Sequence, residues 1–235
     1  LSYSFPKIQS AVLDNGSKLV LAERNDLPLV NLEVVFNKGW AIESNEQQGL
    51  ANFTMSMMDE GTKKYSSLDF AEAQERLGSG ISYGSSIDTT YASLSSMKIN
   101  LEATLDLFKE GLLNPIFPQA ELDKVKKRWL DSIDQQLNNP GSVANRKIRG
   151  LVYGEGHPYA KESSSGLKET VEQFTREDLI QMHSLLTNPS DSTFIVTGDI
   201  SLNEATELLN KKFNDWTSQA SDNNPIAVSY THLTL

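Results

Sequence analysis

Residues 29–36, Leu-Val-Asn-Leu-Glu-Val-Val-Phe, place the tightest constraint on the fold. Val30, Leu32, Val34 and Phe36 fall on every second position, and Leu29, Asn31, Glu33 and Val35 fill the others. A period of two belongs to a β-strand, whose side chains point alternately to opposite faces. One face here is wholly apolar and must be covered. The other carries an amide and a carboxylate, so it meets a polar environment. The chain therefore has to build a sheet that is buried on one side only.

Other segments supply the remaining strands and the cover. Val12 to Val20 reads as a hairpin around Asn15-Gly16, a strong turn signal between strands. Residues 81–86, 89–99 and 193–197 read as further strands, the last closed by Gly198-Asp199. Helical patterns run over 48–59, 101–113 and 143–153. Ser66-x-x-Asp69, Thr175-x-x-Asp178 and Ser201-x-x-Glu204 predict capped helix starts. Pro118 is expected to open a helix with the stripe Leu122, Val125, Trp129, Ile133 and Leu137. Strands arrive both as hairpins and as strand–helix–strand units. The order predicts an α+β two-layer sandwich: a mixed, mostly antiparallel sheet with helices on one face. We expect one domain over residues 1–220, with 221–235 a linker or a non-native tail. Leu1 is not an initiator methionine, which predicts a piece of something longer.

Charge and composition narrow the chemistry. The 235 residues carry a formal net charge of −10 and a pI of about 4.8. Without a basic cluster, nucleic acid is not an expected partner. The absence of cysteine excludes disulfides, thiolate metal sites and cysteine nucleophiles. No run of about 18 apolar residues is present, so no membrane-spanning helix is expected.

Few side chains offer catalysis. His157, beside a proline in a Gly-rich loop, His183, on an amphipathic helix, and His232, in the tail, read as structural. Ser85, Ser86, Ser95 and Ser96 have no Gly-x-Ser-x-Gly elbow and no motif linking them to a histidine. Gly78-x-Gly80 misses the dinucleotide fingerprint, and Asp59-Glu60 reads as a solvated pair. Thr89, Thr90, Ser93, Ser95 and Ser96 make one strand rich in hydroxyls, either facing solvent or lining a binding chamber.

Residues 49–62, Gly-Leu-Ala-Asn-Phe-Thr-Met-Ser-Met-Met-Asp-Glu-Gly-Thr, carry the most specific signal. Gly49, Leu50, Ala51, Phe53, Gly61 and Thr62 match the frame around the inverted zinc motif His-x-x-Glu-His of the M16 (pitrilysin/insulinase-like) peptidases. The chain resembles that family from about residue 6 to 217, also at Asn114-Pro115, Gly156-His157-Pro158-Tyr159 and Ile195-Val196-Thr197-Gly198-Asp199. The chemistry is replaced. Asn52 and Ser56 stand at the two histidine positions and Met55 at the glutamate. Positions i, i+3 and i+4 share a helix face, where two imidazoles would hold zinc and the glutamate would take a proton from bound water. A further family ligand, a glutamate about 75 residues downstream, maps near Ser132, where Asp131 is the nearest carboxylate.

The resemblance implies a non-catalytic half with no metal of its own. It implies a zinc-bearing half as partner, in the same chain or a separate subunit, closing with this one around a peptide substrate. Arg and Tyr side chains that such halves contribute come from the domain after this one. A structural assembly subunit of the same descent is the alternative, and an active zinc peptidase with unexpected ligands the third. Similarity to bacterial tandem members implies the periplasm or cell envelope, with the cytoplasm as alternative.

Overall fold

The computed structural model describes residues 6–154 and 156–217. Six strands form one sheet: β1 (Ile8–Val12), β2 (Lys18–Glu23), β3 (Leu29–Phe36), β4 (Gly80–Ser85), β5 (Thr90–Met97) and β6 (Ser192–Gly198). Their order is β1-β2-β6-β3-β5-β4. β2 and β6 pair in parallel, and the other four pairings are antiparallel. This is the mixed, mostly antiparallel sheet expected.

Among the described residues, eight α-helices accompany the sheet: α1 (Leu50–Met55), α2 (Ser67–Leu77), α3 (Leu101–Leu113), α4 (Gln119–Leu137), α5 (Pro140–Tyr153), α6 (Lys168–Gln173), α7 (Arg176–Leu186) and α8 (Leu202–Phe213). The starts of α2, α7 and α8 follow the sequence signals at Ser66, Thr175 and Ser201. The Ser66 hydroxyl accepts from the Asp69 N–H at 3.2 Å, and Thr175 and Asp178 form a reciprocal capping box. Gly78 ends α2 with a left-handed φ of +57°, a conformation without penalty only for glycine.

The strand alternation sets the layers. Leu21, Val196, Leu32, Leu94 and Ile81 align across five strands in register, and Leu19, Phe194, Val34 and Ala92 form the adjacent row. All nine are buried, against the helices. Each such aliphatic side chain contributes about 1.5–3 kcal/mol on leaving water. Phe36, Phe194, Phe213 and Trp216 meet beside these rows with ring centroids 5.3–6.2 Å apart, three pairs edge-on and Phe213–Trp216 tilted. Asn31, Glu33, Ser82 and Ser95 point from the opposite, open face.

Several expectations change. The helix read over 48–59 spans only Leu50–Met55, because residues 56–60 tighten into i→i−3 turns such as the Met57 N–H to the Thr54 carbonyl. Pro118 stands just before α4 rather than inside its first turn. Leu137 leaves the apolar stripe and is exposed, since α4 has by then run past the core. The short α6 has too few residues to show a period. Hydroxyls of the β5 strand divide between faces: Thr90 and Ser96 are buried on the helix side, while Ser93 and Ser95 are on the open face. A strand cannot turn consecutive side chains to one side. The tail 221–235 and His232 lie outside the described residues.

Candidate functional site

The residues at the degenerate zinc motif sit where α1 meets the edge strand β4. Gly49 starts α1 at φ +94° and packs directly on Gly166, where a Cβ would fall 2.6 Å from the Gly166 Cα. Glu43 anchors this start. Its carboxylate accepts from the Gly49 N–H at 3.0 Å and the Ala51 N–H at 2.7 Å, satisfying two donors that a helix N-terminus leaves free.

Each of the three diagnostic side chains is used structurally. The Asn52 amide oxygen accepts from the backbone N–H of Ser85 at 3.1 Å, and its nitrogen donates to the Ser164 carbonyl at 3.3 Å. Asn52 thus staples the end of β4 to the loop 163–167. Met55 is only 2% exposed and belongs to the core. The Ser56 hydroxyl donates back to the Phe53 carbonyl at 2.7 Å. An amide fixed by two backbone groups, a buried thioether and a back-bonded neutral hydroxyl do not fit zinc, which takes imidazole, carboxylate or thiolate donors. Ser132 is exposed on α4 and accepts from the Gln136 amide at 3.4 Å. Helix α4 instead reaches α1 through Trp129, which packs edge-on to Phe53 at 5.5 Å and donates to the Ser165 carbonyl at 2.9 Å. Among the described residues, no group of three or more His, Asp or Glu side chains is placed to hold a metal ion.

The other candidates scatter. His157 Nδ1 accepts from the Tyr159 N–H at 3.1 Å, and its ring stacks on Tyr153 at 5.0 Å. His183 Nε2 lies 2.8 Å from the Leu112 carbonyl, and burial holds its pKa below the usual imidazole range. Ser96 bonds to Thr104, Ser82 to Ser93, and Ser86 to Thr89. Glu60 is not merely solvated, as it accepts from Arg128 at 3.0 Å and from the Ser67 hydroxyl at 2.9 Å.

Sequence reasoning missed Glu43 and its buried partner Lys161, whose ammonium donates to the Trp40 and Ala41 carbonyls at 3.2 and 2.7 Å. Neither lies in a periodic segment, so only tertiary contact reveals them. Burial pushes the Glu43 carboxyl up to about 7, against the pull of the Ala51 and Gly49 amides and of Lys161. Burial likewise lowers the pKa of Lys161, which Glu43 partly offsets. A carboxyl whose pKa is higher folded than unfolded adds stability that is full below about pH 4.5 and fades as pH rises through 7. Between pH 5 and 8, wild type should lose roughly 1–3 kcal/mol of unfolding free energy relative to Glu43→Gln. Urea midpoints across that range measure it. Parallel curves for the two proteins would show that Glu43 titrates as an ordinary carboxylate.

Comparison with known proteins places this geometry. The family model described as Insulinase (Peptidase family M16) matches residues 19–156. A second, described as Peptidase M16 inactive domain, matches residues 173–234. The zinc protease PqqE of Helicobacter pylori is 25% identical over 215 residues, covering 88% of this chain and 47% of that protein. The non-peptidase homolog YmxG of the same bacterium is 23% identical over 196 residues, covering 83% and 45%. A crystal structure of a peptidase M16 inactive domain from Pseudomonas fluorescens superposes with a TM-score of 0.85 at 26% identity, covering 91% of this chain and 52% of that one. The chain thus spans about half the length of these relatives. With the fold, the retained frame and the matched models in agreement, the chain belongs to the insulinase family, peptidase family M16.

Proposed function

We propose that this chain is a non-catalytic M16 domain that pairs with a zinc-bearing half to close a chamber around an unfolded peptide. The observation that carries this reading is the fate of the motif. Its frame at Gly49, Leu50, Ala51, Phe53, Gly61 and Thr62 is kept, while Asn52, Met55 and Ser56 are each committed to structure. A scaffold kept without its chemistry serves shape and binding. The open sheet face suits an extended peptide. A concavity of about 530 Å³ lies on it, bordered by Asn31, Glu33, Ser82, Ser93, Ser95 and Thr197. Its hydroxyls and the Asn31 amide can hydrogen-bond a peptide backbone, Ile195 offers an apolar contact and Glu33 adds one carboxylate. In this reading the zinc belongs to the partner half and the chain resides in the periplasm, which the likeness to the periplasmic protease PqqL of Escherichia coli supports.

A second reading, a structural assembly subunit, is favoured by the likeness to the non-peptidase homolog YmxG. One experiment separates them. The chain is mixed with the His-x-x-Glu-His half encoded in the same genome, and cleavage of an unstructured peptide is followed with each alone and together. We expect a 1:1 complex and cleavage at least tenfold faster than the zinc-bearing half gives alone. A complex without gain in cleavage supports the assembly reading, and equal cleavage without a complex overturns both.

A further inference from the structure

Helix α5 turns its arginines inward and leaves the aliphatic stripe of Ile148, Leu151 and Val152 exposed. Arg149 lies over the Trp40 ring. Arg146 is only 5% exposed and donates to the Gln136 side chain and the Gly166 carbonyl. Lys161, 7% exposed, donates to the Trp40 and Ala41 carbonyls. All four acceptors are neutral. Glu162 acts on Arg146 and Glu43 on Lys161 through space, and neither makes an ion pair with its cation. Buried charges are ordinarily paired, so two of them without a contacting counter-ion call for an anion. Both cations line one cavity of about 780 Å³, within the range of small-ligand sites. Lys147, which pairs with Glu162, lines it too, so the wall carries three cations against one carboxylate in a chain of net charge −10.

Two buried atoms of the lining side chains lack hydrogen-bond partners: Arg146 Nε, a donor, and Gln48 Oε1, an acceptor. Such atoms cost stability that a bound group can return. The two residues are neighbours, because Gly166, which accepts from Arg146, packs so closely on Gln48 that a Cβ would fall 2.2 Å from the Gln48 carbonyl oxygen. A ligand that meets these needs brings anionic oxygens for the cations and an N–H beside them for Gln48. Leu151 and Leu167 add an apolar wall, which inorganic phosphate has nothing to set against. We infer that this cavity binds the free C-terminal carboxylate of a peptide, with Gln48 accepting from the last amide N–H and the terminal side chain lying on Leu151 and Leu167. The cavity shares no residue with the concavity on the open sheet face. The inference goes beyond the pairing proposed above and does not depend on it.

The test titrates the 235-residue chain into a fluorescein-labelled unstructured peptide ending in leucine, made as the free acid and as the C-terminal amide, and reads anisotropy. The acid should bind roughly tenfold more tightly than the amide, the scale of a lost charge-assisted contact. Arg146→Gln should bring the acid down to the affinity of the amide. Should that variant unfold, Gln48→Met keeps the test, since it removes an acceptor without a partner. Its melting temperature should stay within about 3 °C of wild type while affinity for the acid falls about threefold. Inorganic phosphate should displace the acid far less well than unlabelled acid peptide does. Equal binding of acid and amide, no binding of the acid, undiminished binding by both variants, or displacement by phosphate as effective as by peptide overturns the assignment. Because no zinc-bearing half is present, each of these leaves the pairing standing.

Discussion

Replacing Gly166 by alanine is expected to lower the melting temperature by about 6–12 °C, from a loss of roughly 3 kcal/mol in a chain of this size. Gly166 has φ +79°, where a Cβ alone costs about 1–2 kcal/mol. The added carbon would also fall 2.2 Å from the Gln48 carbonyl oxygen, a backbone atom that cannot swing aside. The loop at this glycine holds α1 from several directions. Its carbonyls receive Asn52 at Ser164, Trp129 at Ser165 and Arg146 at Gly166, while Thr170 donates to the Gln48 carbonyl at 2.8 Å. Gly78 is the control. It lies in the left-handed helical region at φ +57°, but nothing lies within 4 Å of its Cβ position, so Gly78→Ala should cost only about 1 kcal/mol. Thermal unfolding of the two variants distinguishes steric conflict from backbone preference. Equal losses would mean that close packing on α1 contributes nothing.

Rebuilding the motif should fail, and Met55→Glu is the reason. The methionine is 2% exposed, so a carboxylate there is buried without a cation beside it, at a cost of about 3–5 kcal/mol. The side chain would escape part of this by taking up a proton. Its folded pKa would then lie above the unfolded value, and the variant should lose stability further as pH rises from 5 to 8. Adding Asn52→His and Ser56→His removes the amide oxygen that caps the Ser85 N–H and still supplies no carboxylate at exposed Ser132. The triple variant should bind zinc no better than wild type and cleave no peptide. Metal analysis and a fluorogenic peptide assay check this. Stoichiometric zinc with chelator-sensitive cleavage would show that the scaffold had kept its catalytic geometry.

The difference between the α1 and α5 readings shows how periodicity carries some information and not the rest. The pattern over residues 143–153 predicts a helix there, and an apolar stripe on a helix ordinarily packs on the core. Period tells which side chains share a face and is silent on which face turns inward. That was decided by Arg146 and Arg149, whose partners Gln136, Gly166 and Trp40 lie 10, 20 and 109 residues away in sequence. In α1 the replaced motif was legible residue by residue, whereas the tasks of the replacements were not.

The sequence by itself determined the sheet with one covered face, through the alternation over residues 29–36. It also determined the starts of α2, α7 and α8, through Ser66, Thr175 and Ser201, and the absence of histidine and glutamate from positions 52, 55 and 56. These depend on local geometry or on the kind of atom a side chain carries, both of which are written along the chain. Only the tertiary structure decided that Glu43 holds the start of α1, that Gly166 must remain a glycine and that the aliphatic stripe of α5 faces out. Each depends on groups distant in sequence meeting at a few ångströms, where burial changes the strength of a charge and the space left for a single carbon.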